Sequence, residues 1–161
     1  MPQRSAESFA ECANVRAAQP GDARLLVEID GLVNVSPWSA AQFELACDNT
    51  MEASESVLVL EHGGRVCGFI IFSRVLDEVC IHNLAVHPER QSEGIGRGLV
   101  VAALELVKQQ GAGRCLLEVR ESNSAARRLY EALSFQLDGI RKNYYPAPGG
   151  REDALLMSRQ L

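Results

Sequence analysis

The chain has 161 residues, 47% hydrophobic and 23% charged, with a formal net charge of −5, which is the composition of one soluble globular domain with a substantial core. The acidic balance disfavours a nucleic-acid surface, which needs clustered lysine and arginine, and suits a basic peptide or a polyamine instead. No signal-peptide pattern opens the chain and no stretch approaches the roughly 20 apolar residues of a membrane span, so a cytoplasmic protein without membrane contact is expected.

Residues 1–12 are polar and are expected to form a disordered extension to a domain over 13–161. Residues 14–18 read as a strand, followed by Pro20-Gly21-Asp22 and a helix over 23–32 whose Leu25, Leu26, Ile29 and Leu32 or Val33 recur at helical spacing. Ser39 opens a second helix, with Gln42 completing a capping box and Phe43, Leu45 and Ala46 on its apolar side. Residues 48–56 read as a loop. The apolar runs 57–60 and 66–72, joined by Gly63-Gly64, predict a hairpin. Leu76-Asp77-Glu78 then turns the chain into a strand ending near Val86, and Pro88 stops it. A helix over 96–109 carries Leu99, Ala102, Ala103 and Leu106 in one stripe, widened by Val100, Val101 and Leu104, so it must be buried on more than one side. Gly111 and Gly113 end it before an interior strand over 115–119. Asn123 caps a helix with Ala126, Leu129, Tyr130 and Leu133 on one face. Residues 135–140 and 154–157 read as closing strands separated by a Tyr/Pro/Gly-rich connection over 144–150. Strand, loop, helix and strand across 81–119 form a β-α-β crossover, which makes one parallel pair in a mainly antiparallel sheet. The five cysteines, Cys12, Cys47, Cys67, Cys80 and Cys115, are an odd set without a C-x-x-C pair, and read as reduced structural thiols with no metal implied.

The run Gln91-Ser92-Glu93-Gly94-Ile95-Gly96-Arg97-Gly98, between a strand and a helix, carries the chemistry. A glycine-punctuated turn at a helix start converges backbone N–H groups on the positive end of the helix dipole, where a phosphate or pyrophosphate binds. A Walker loop would continue into lysine and a hydroxyl, and none follows Gly96. A dinucleotide fingerprint would place its first glycine directly after the strand, whereas residues 87–93 intervene here. Glu118 does stand about 20 residues on, where a ribose-binding acid would be, so that reading stays open, as does plain turn chemistry.

With Gln91, Gly94 and Gly96 the loop resembles the acetyl-CoA loop of the GNAT superfamily of N-acetyltransferases. The resemblance continues through Pro37-Trp38-Ser39, Asn83-Leu84-Ala85-Val86, Leu117-Glu118-Val119-Arg120, Asn123, Leu129-Tyr130-Glu131, Asn143-Tyr144-Tyr145-Pro146 and Arg151-Glu152-Asp153-Ala154. It spans roughly residues 14 to 159 and is similar to the RimI-type ribosomal-protein alanine N-acetyltransferases. It implies a single α/β GNAT-like domain with six or seven strands and about four helices. It further implies that Gln91, Ser92, Glu93, Gly94, Ile95, Gly96, Arg97 and Asn123 hold acetyl-CoA, and that the backbone of Leu84, Ala85 and Val86 meets its pantetheine arm. Trp38, Tyr144 and Tyr145 would wall the acceptor entrance. Ser92 and Glu93 stand where relatives often carry basic or amide groups, and a carboxylate ~4 Å from a phosphate would repel it by on the order of 4 kcal/mol at an effective dielectric of ~20. Glu93 is therefore expected to point outward, with Arg90 and Arg97 compensating. Ser134 replaces a common glycine at a left-handed position, at ~1–2 kcal/mol.

Acetyl transfer to an amine needs a neutral nucleophile and a proton for the departing thiolate. Strand alternation puts Glu118 with Leu116 and Arg120, opposite Cys115, Leu117 and Val119. By resemblance Glu118 is the general base and Tyr130 the general acid; by local chemistry they are a solvated carboxylate and a core tyrosine. An α-amine of pKa ~7.7–8.0 needs only a modest base, unlike a lysine near 10.4. A nucleophilic Cys80 beside His82 is disfavoured, since Cys80 lies in an apolar strand. The expected activity is direct ternary-complex acetylation of the N-terminal alanine of a small-subunit ribosomal protein, by a monomer or weak dimer. The alternatives are a GNAT enzyme for lysine side chains or a small amine, a coenzyme A-binding module without turnover, and a dinucleotide binder.

Overall fold

The strands are β1 (Ala13–Ala17), β2 (Ser56–His62), β3 (Arg65–Val75), β4 (Glu78–Val86), β5 (Arg114–Arg120), β6 (Gln136–Ala147) and β7 (Gly150–Gln160), of which β2, β3 and β4 are rich in β-branched residues. The amphipathic segments give helices α1 (Ala23–Val33), α2 (Ala40–Cys47), α3 (Ile95–Gln109) and α4 (Ser124–Ala132). The computed structural model describes residues 13–48 and 54–161, so the expected extension over 1–12 lies outside the described residues. The strands form one sheet in the order β1-β2-β3-β4-β5-β7-β6. The β4–β5 pair is parallel, as the crossover required, while β1–β2, β2–β3, β5–β7 and β6–β7 are antiparallel. No helix among the described residues is long and apolar enough to cross a membrane.

Local chemistry explains the element ends. Ser39 Oγ accepts from the Gln42 amide at 3.3 Å and Gln42 Oε1 accepts from the Ser39 amide at 2.8 Å, a complete capping box. Gly63 and Gly64 both take positive φ, +59° and +77°, as a tight two-residue hairpin between β2 and β3 requires. At the end of α3, Gly111 turns left-handed while the Ala112 amide donates to Val107 O and the Gly111 amide to Lys108 O, a Schellman closure.

The described residues divide into two compact units, one drawn from 13–48, 54–72 and 83–103 and one from 73–82 and 104–161. In the first unit, alternate positions of β2 and β3 (Val57, Val59, Phe69 and Ile71) meet Leu26 and Ile29 of α1 and Phe43 and Ala46 of α2 in one buried cluster. Phe43 packs edge-on to Phe69 at 5.4 Å between ring centroids. Gly68 belongs to the opposite face. A Cβ there would lie 2.8 Å from the Ala85 carbonyl, 3.2 Å from Ile95 and 3.3 Å from Leu99, so β4 and the start of α3 approach as closely as they do only because residue 68 is glycine.

In the second unit, Cys115, Leu117 and Val119 are the buried positions of β5, which pairs with β7 from Arg114↔Gln160 to Arg120↔Ala154. Burial pushes the Cys115 thiol up to about 12, as it pushes Cys47 of the first unit to about 11. The expected connection over 144–150 is corrected here: Tyr144, Tyr145, Pro146 and Ala147 belong to β6, and the turn is confined to 148–149. Two things permit this. β6 is the outer strand of the sheet, where proline removes no ladder hydrogen bond. The ladder also shifts register between Arg141 and Tyr145, and Asn143 takes a left-handed φ of 51° there.

Candidate active site

The first unit holds the loop. The His87 amide donates to the Cys67 carbonyl at 2.8 Å, and Gln91 Nε2 donates to the Val86 carbonyl at 3.2 Å, fastening the chain as it leaves β4. Ser92 and Gly94 then both turn left-handed, with φ 65° and 82°, and open space surrounds the position a Gly94 side chain would take. The first helical bond of α3 runs from the Gly98 amide to Gly94 O at 3.0 Å, and the amides of Gly94, Ile95, Gly96 and Arg97 have no acceptor among the described residues. Four open N–H groups at the positive end of a 15-residue helix make a site for an anion.

Glu93 does not oppose that anion alone. Arg90 Nε donates to Glu93 Oε2 at 2.9 Å, while its Nη1 reaches Cys67 Sγ at 3.6 Å and its Nη2 contacts His62 Nδ1 at 3.0 Å. Arg90 thus provides the side-chain partner for Glu93, while Arg97 is exposed and makes no ion pair among the described residues. Leu84, Ala85 and Val86 lie beyond the parallel ladder to β5, which runs from Glu78↔Arg114 to Ile81↔Leu117. Trp38 is half-buried against the α1–α2 core, its ring 5.8 Å from that of Phe43.

The second unit holds the titratable groups. Glu118 shares its face of β5 with Leu116 and Arg120, none of them buried. Its partner is Arg141 of β6, with Nη2 at 3.4 Å from Glu118 Oε1, and not the neighbouring Arg120. Arg120 turns to Glu152 Oε1 at 3.0 Å and the Pro146 carbonyl at 2.7 Å, under the Tyr145 ring at 4.5 Å. Arg141 likewise lies over the Tyr144 ring, at 5.2 Å. The two tyrosines meet edge to face at 5.0 Å. Their exposure on an outer strand is thus accounted for by mutual and cation–π packing.

Tyr130 is 5% exposed and its ring packs on Phe135 at 5.5 Å. Among the described residues its hydroxyl has no hydrogen-bond partner, yet it is not a buried unpartnered atom, so the oxygen reaches the surface of the unit. Burial pushes its phenol well above the ordinary value of 10, with smaller contributions from Cys115 and Tyr145. Tyr145 is raised by burial and then by the charge of Glu118. The charge of Glu118 thus acts on Tyr145, and Tyr145 in turn adds slightly to the rise at Tyr130. Asn123 Oδ1 accepts from the Ala126 amide at 3.2 Å, the N-cap its sequence position indicated. Burial and then Glu118 raise the Cys80 thiol, the opposite of what a nucleophilic cysteine needs.

The sequence profile of the Acetyltransferase (GNAT) family matches residues 23–135. The chain belongs to the GNAT acetyltransferase family. It is 38% identical over 130 residues to the ribosomal protein bS18-alanine N-acetyltransferase of Escherichia coli K12, covering 81% of this chain and 85% of that one. The protein of the same description from Haemophilus influenzae is 40% identical over 141 residues, covering 87% and 93%. The crystal structure of the ribosomal-protein-S18-alanine N-acetyltransferase from Escherichia coli superposes with a TM-score of 0.84 at 33% identity, over 92% of this chain and 93% of that one. The GNAT fold that the family resemblance implied is thereby shown.

Three features of this acetyltransferase had no counterpart in the sequence reading. Arg141 as the partner of Glu118 depends on register through two strands. The Arg120–Glu152 pair, with the Ser122 amide donating to Glu152 Oε2 at 3.2 Å, joins the end of β5 to β7. Asp153 accepts from the Asn143 amide at 2.9 Å and from Lys142 Nζ at 2.8 Å, and Arg151 donates to the Asn143 and Tyr144 carbonyls, so the irregular part of β6 is held by β7. The signal was available: Arg151-Glu152-Asp153 answers Arg141-Lys142 across a hairpin.

Proposed function

We propose that this chain transfers the acetyl group of acetyl-CoA to the N-terminal α-amine of a protein, and that the acceptor is the alanine of a small-subunit ribosomal protein. The observation that carries the reading is the left-handed turn at Ser92 and Gly94, which opens helix α3 with four amides that have no acceptor among the described residues, in a chain of the GNAT family. GNAT enzymes use acetyl-CoA, and the residues here fit it. The amides of Gly94 to Arg97, supported by Gln91, Ser92 and the Arg90–Glu93 pair, would hold its diphosphate. Asn123 and the backbone of Leu84, Ala85 and Val86 would complete the cofactor contacts. Bound there, the cofactor supplies an acetyl thioester.

In this scheme Glu118, directly or through a water, takes the proton that the α-ammonium must lose. The neutral amine would attack the thioester carbonyl carbon, the C–N bond forming as the C–S bond breaks, and the second proton that the nitrogen must lose to become an amide would pass to solvent. Tyr130 gives its proton to the departing sulfur. A buried phenol is a poor place to leave a negative charge, so proton donation is coupled to neutralisation of the site, for which the proton taken up at Glu118 is the source. Trp38, Tyr144 and Tyr145 would border the acceptor. Acceptor identity is supported by the two relatives at 38% and 40% identity described as acting on bS18 alanine.

The test is acetyl-CoA turnover on short peptides that differ only in residue one and carry an internal lysine, with the label located by mass spectrometry. Acetylation at the α-amine with preference for alanine is expected. Label on the lysine, or turnover only with polyamines, would replace the reading by the small-amine or lysine alternative. Coenzyme A binding without turnover on any amine would leave a binding module.

A further inference from the structure

Asp30 lies in the last turn of α1 and is 0% exposed. The position is unfavourable twice over. A carboxylate near a helix C-terminus opposes the dipole, and among the described residues no cation lies within ion-pair distance of it. What holds it is a set of N–H donors. Oδ1 accepts from Asn34 Nδ2 and, at 3.0 Å, from Asn83 Nδ2; Oδ2 accepts from the backbone amide of Trp38 at 2.7 Å. Asn34 Nδ2 also donates to Asn83 Oδ1 at 3.0 Å, and the Asn34 amide to the Asp30 carbonyl at 2.8 Å. One buried carboxyl thus ties both ends of the segment 34–38 to each other and to β4 at the residue before Leu84. The residues between, Val35, Ser36 and Pro37, are exposed. A chain that needed only a stable α1 would carry an apolar residue at position 30, because a buried polar network is no more stabilising than well-packed hydrocarbon.

We propose that Asp30 is a positioning residue for the acceptor: through Trp38 and Asn83 it holds the segment 34–38 in the conformation that receives the incoming N-terminus. This rests on the acetyltransferase reading above. It predicts a split that loss of fold would not give. Asp30→Asn turns one acceptor oxygen into a donor facing other donors, so KM for an acceptor peptide rises about tenfold and the unfolding temperature falls, while KM for acetyl-CoA stays near wild type. Trp38 is the only tryptophan in the chain, so acrylamide quenching of its fluorescence reads the segment directly and rises in the same variant. Exchanging the two groups, in Asp30→Asn with Asn83→Asp, keeps an oxygen for the Trp38 amide and gives the new NH2 group an acceptor at position 83, with only the Asn34 bond to position 30 lost, so both readouts recover in large part. Should Asp30→Asn not fold, Asn34→Ala removes two of the side-chain bonds and is expected to show the same split. Unchanged acceptor KM and quenching in Asp30→Asn, or a loss spread equally over both substrates and not recovered by the exchange, would overturn the proposal. Wild-type enzyme that turns over no peptide would overturn the acceptor reading alone, since the quenching comparison needs no turnover.

Discussion

Glu118 and Tyr130 differ in what their surroundings allow. Glu118 is half-exposed beside a mobile-length arginine side chain, and its proposed task is to accept a proton that an α-amine of pKa ~7.7–8.0 is already half-willing to lose. Glu118→Gln is therefore expected to lower kcat/KM by about tenfold at pH 7, where about a tenth of the amine is already neutral, and the deficit should shrink above pH ~8, where the amine no longer needs a base. A ratio that stays constant from pH 7 to 9.5 would remove Glu118 from that role. Tyr130 has its phenol raised by burial. With the shift upward the group keeps its proton to beyond its ordinary value, so no alkaline loss of activity from this residue is expected below pH ~10. Tyr130→Phe should cost about 10²-fold in kcat with little change in KM for acetyl-CoA, measured by thiol release.

At the scale of elements, the sheet and helices carry their own tests. Gly68→Ala puts a methyl group against backbone, the Ala85 carbonyl, as well as Ile95 and Leu99. It should destabilise by about 1–3 kcal/mol in urea unfolding, since β4 or α3 must move to admit it. Ser134 closes α4 with a left-handed φ of 66°, and Ser134→Gly should recover about 0.5–1 kcal/mol in the same experiment. Features set by neighbours in sequence were legible: the Ser39–Gln42 box, the Gly63-Gly64 hairpin, the Asn123 cap and the glycine stop of α3. The β6 segment was not, because Tyr144-Tyr145-Pro146 reads as a turn unless the strand is known to be outermost. The same limit governs the site. Glu118 and Tyr130 stand in recognisable motifs, whereas Arg141 reaches Glu118 only through the β5–β7–β6 register, and Asp30 looks like one more solvated acid of an amphipathic helix until Asn83 and Trp38 are brought to it.

For the molecule as a whole, ion pairs and buried thiols set opposite ends of the stability range. Asp22 is held below its ordinary 3.8 first by Arg16, which donates to both its oxygens at 2.7 and 3.1 Å. Asp153 is held low first by Lys142, and Glu152 first by Ser122 and then Arg120. A lowered folded value gives stability that is complete above the unfolded value and disappears as pH falls through the folded one. Asp22→Asn should thus cost about 1–2 kcal/mol at pH 6 and progressively less below pH ~4, by thermal unfolding across pH. Cys47 and Cys115 are raised from 9.0 to about 11 and 12, so their contribution is whole below pH 9.0 and fades toward those values.

The two outermost strands bear on how the protein behaves when concentrated. β1 has five residues, and β6 breaks its register twice, between Leu137 and Gly139 and between Arg141 and Tyr145, with Pro146 near its end and Lys142 between. A second copy seeking to extend the sheet would find on one side too short a template and on the other one interrupted by kinks and a missing donor. Leu137 and Ile140 can therefore remain in solvent on that rim without seeding edge-to-edge aggregation.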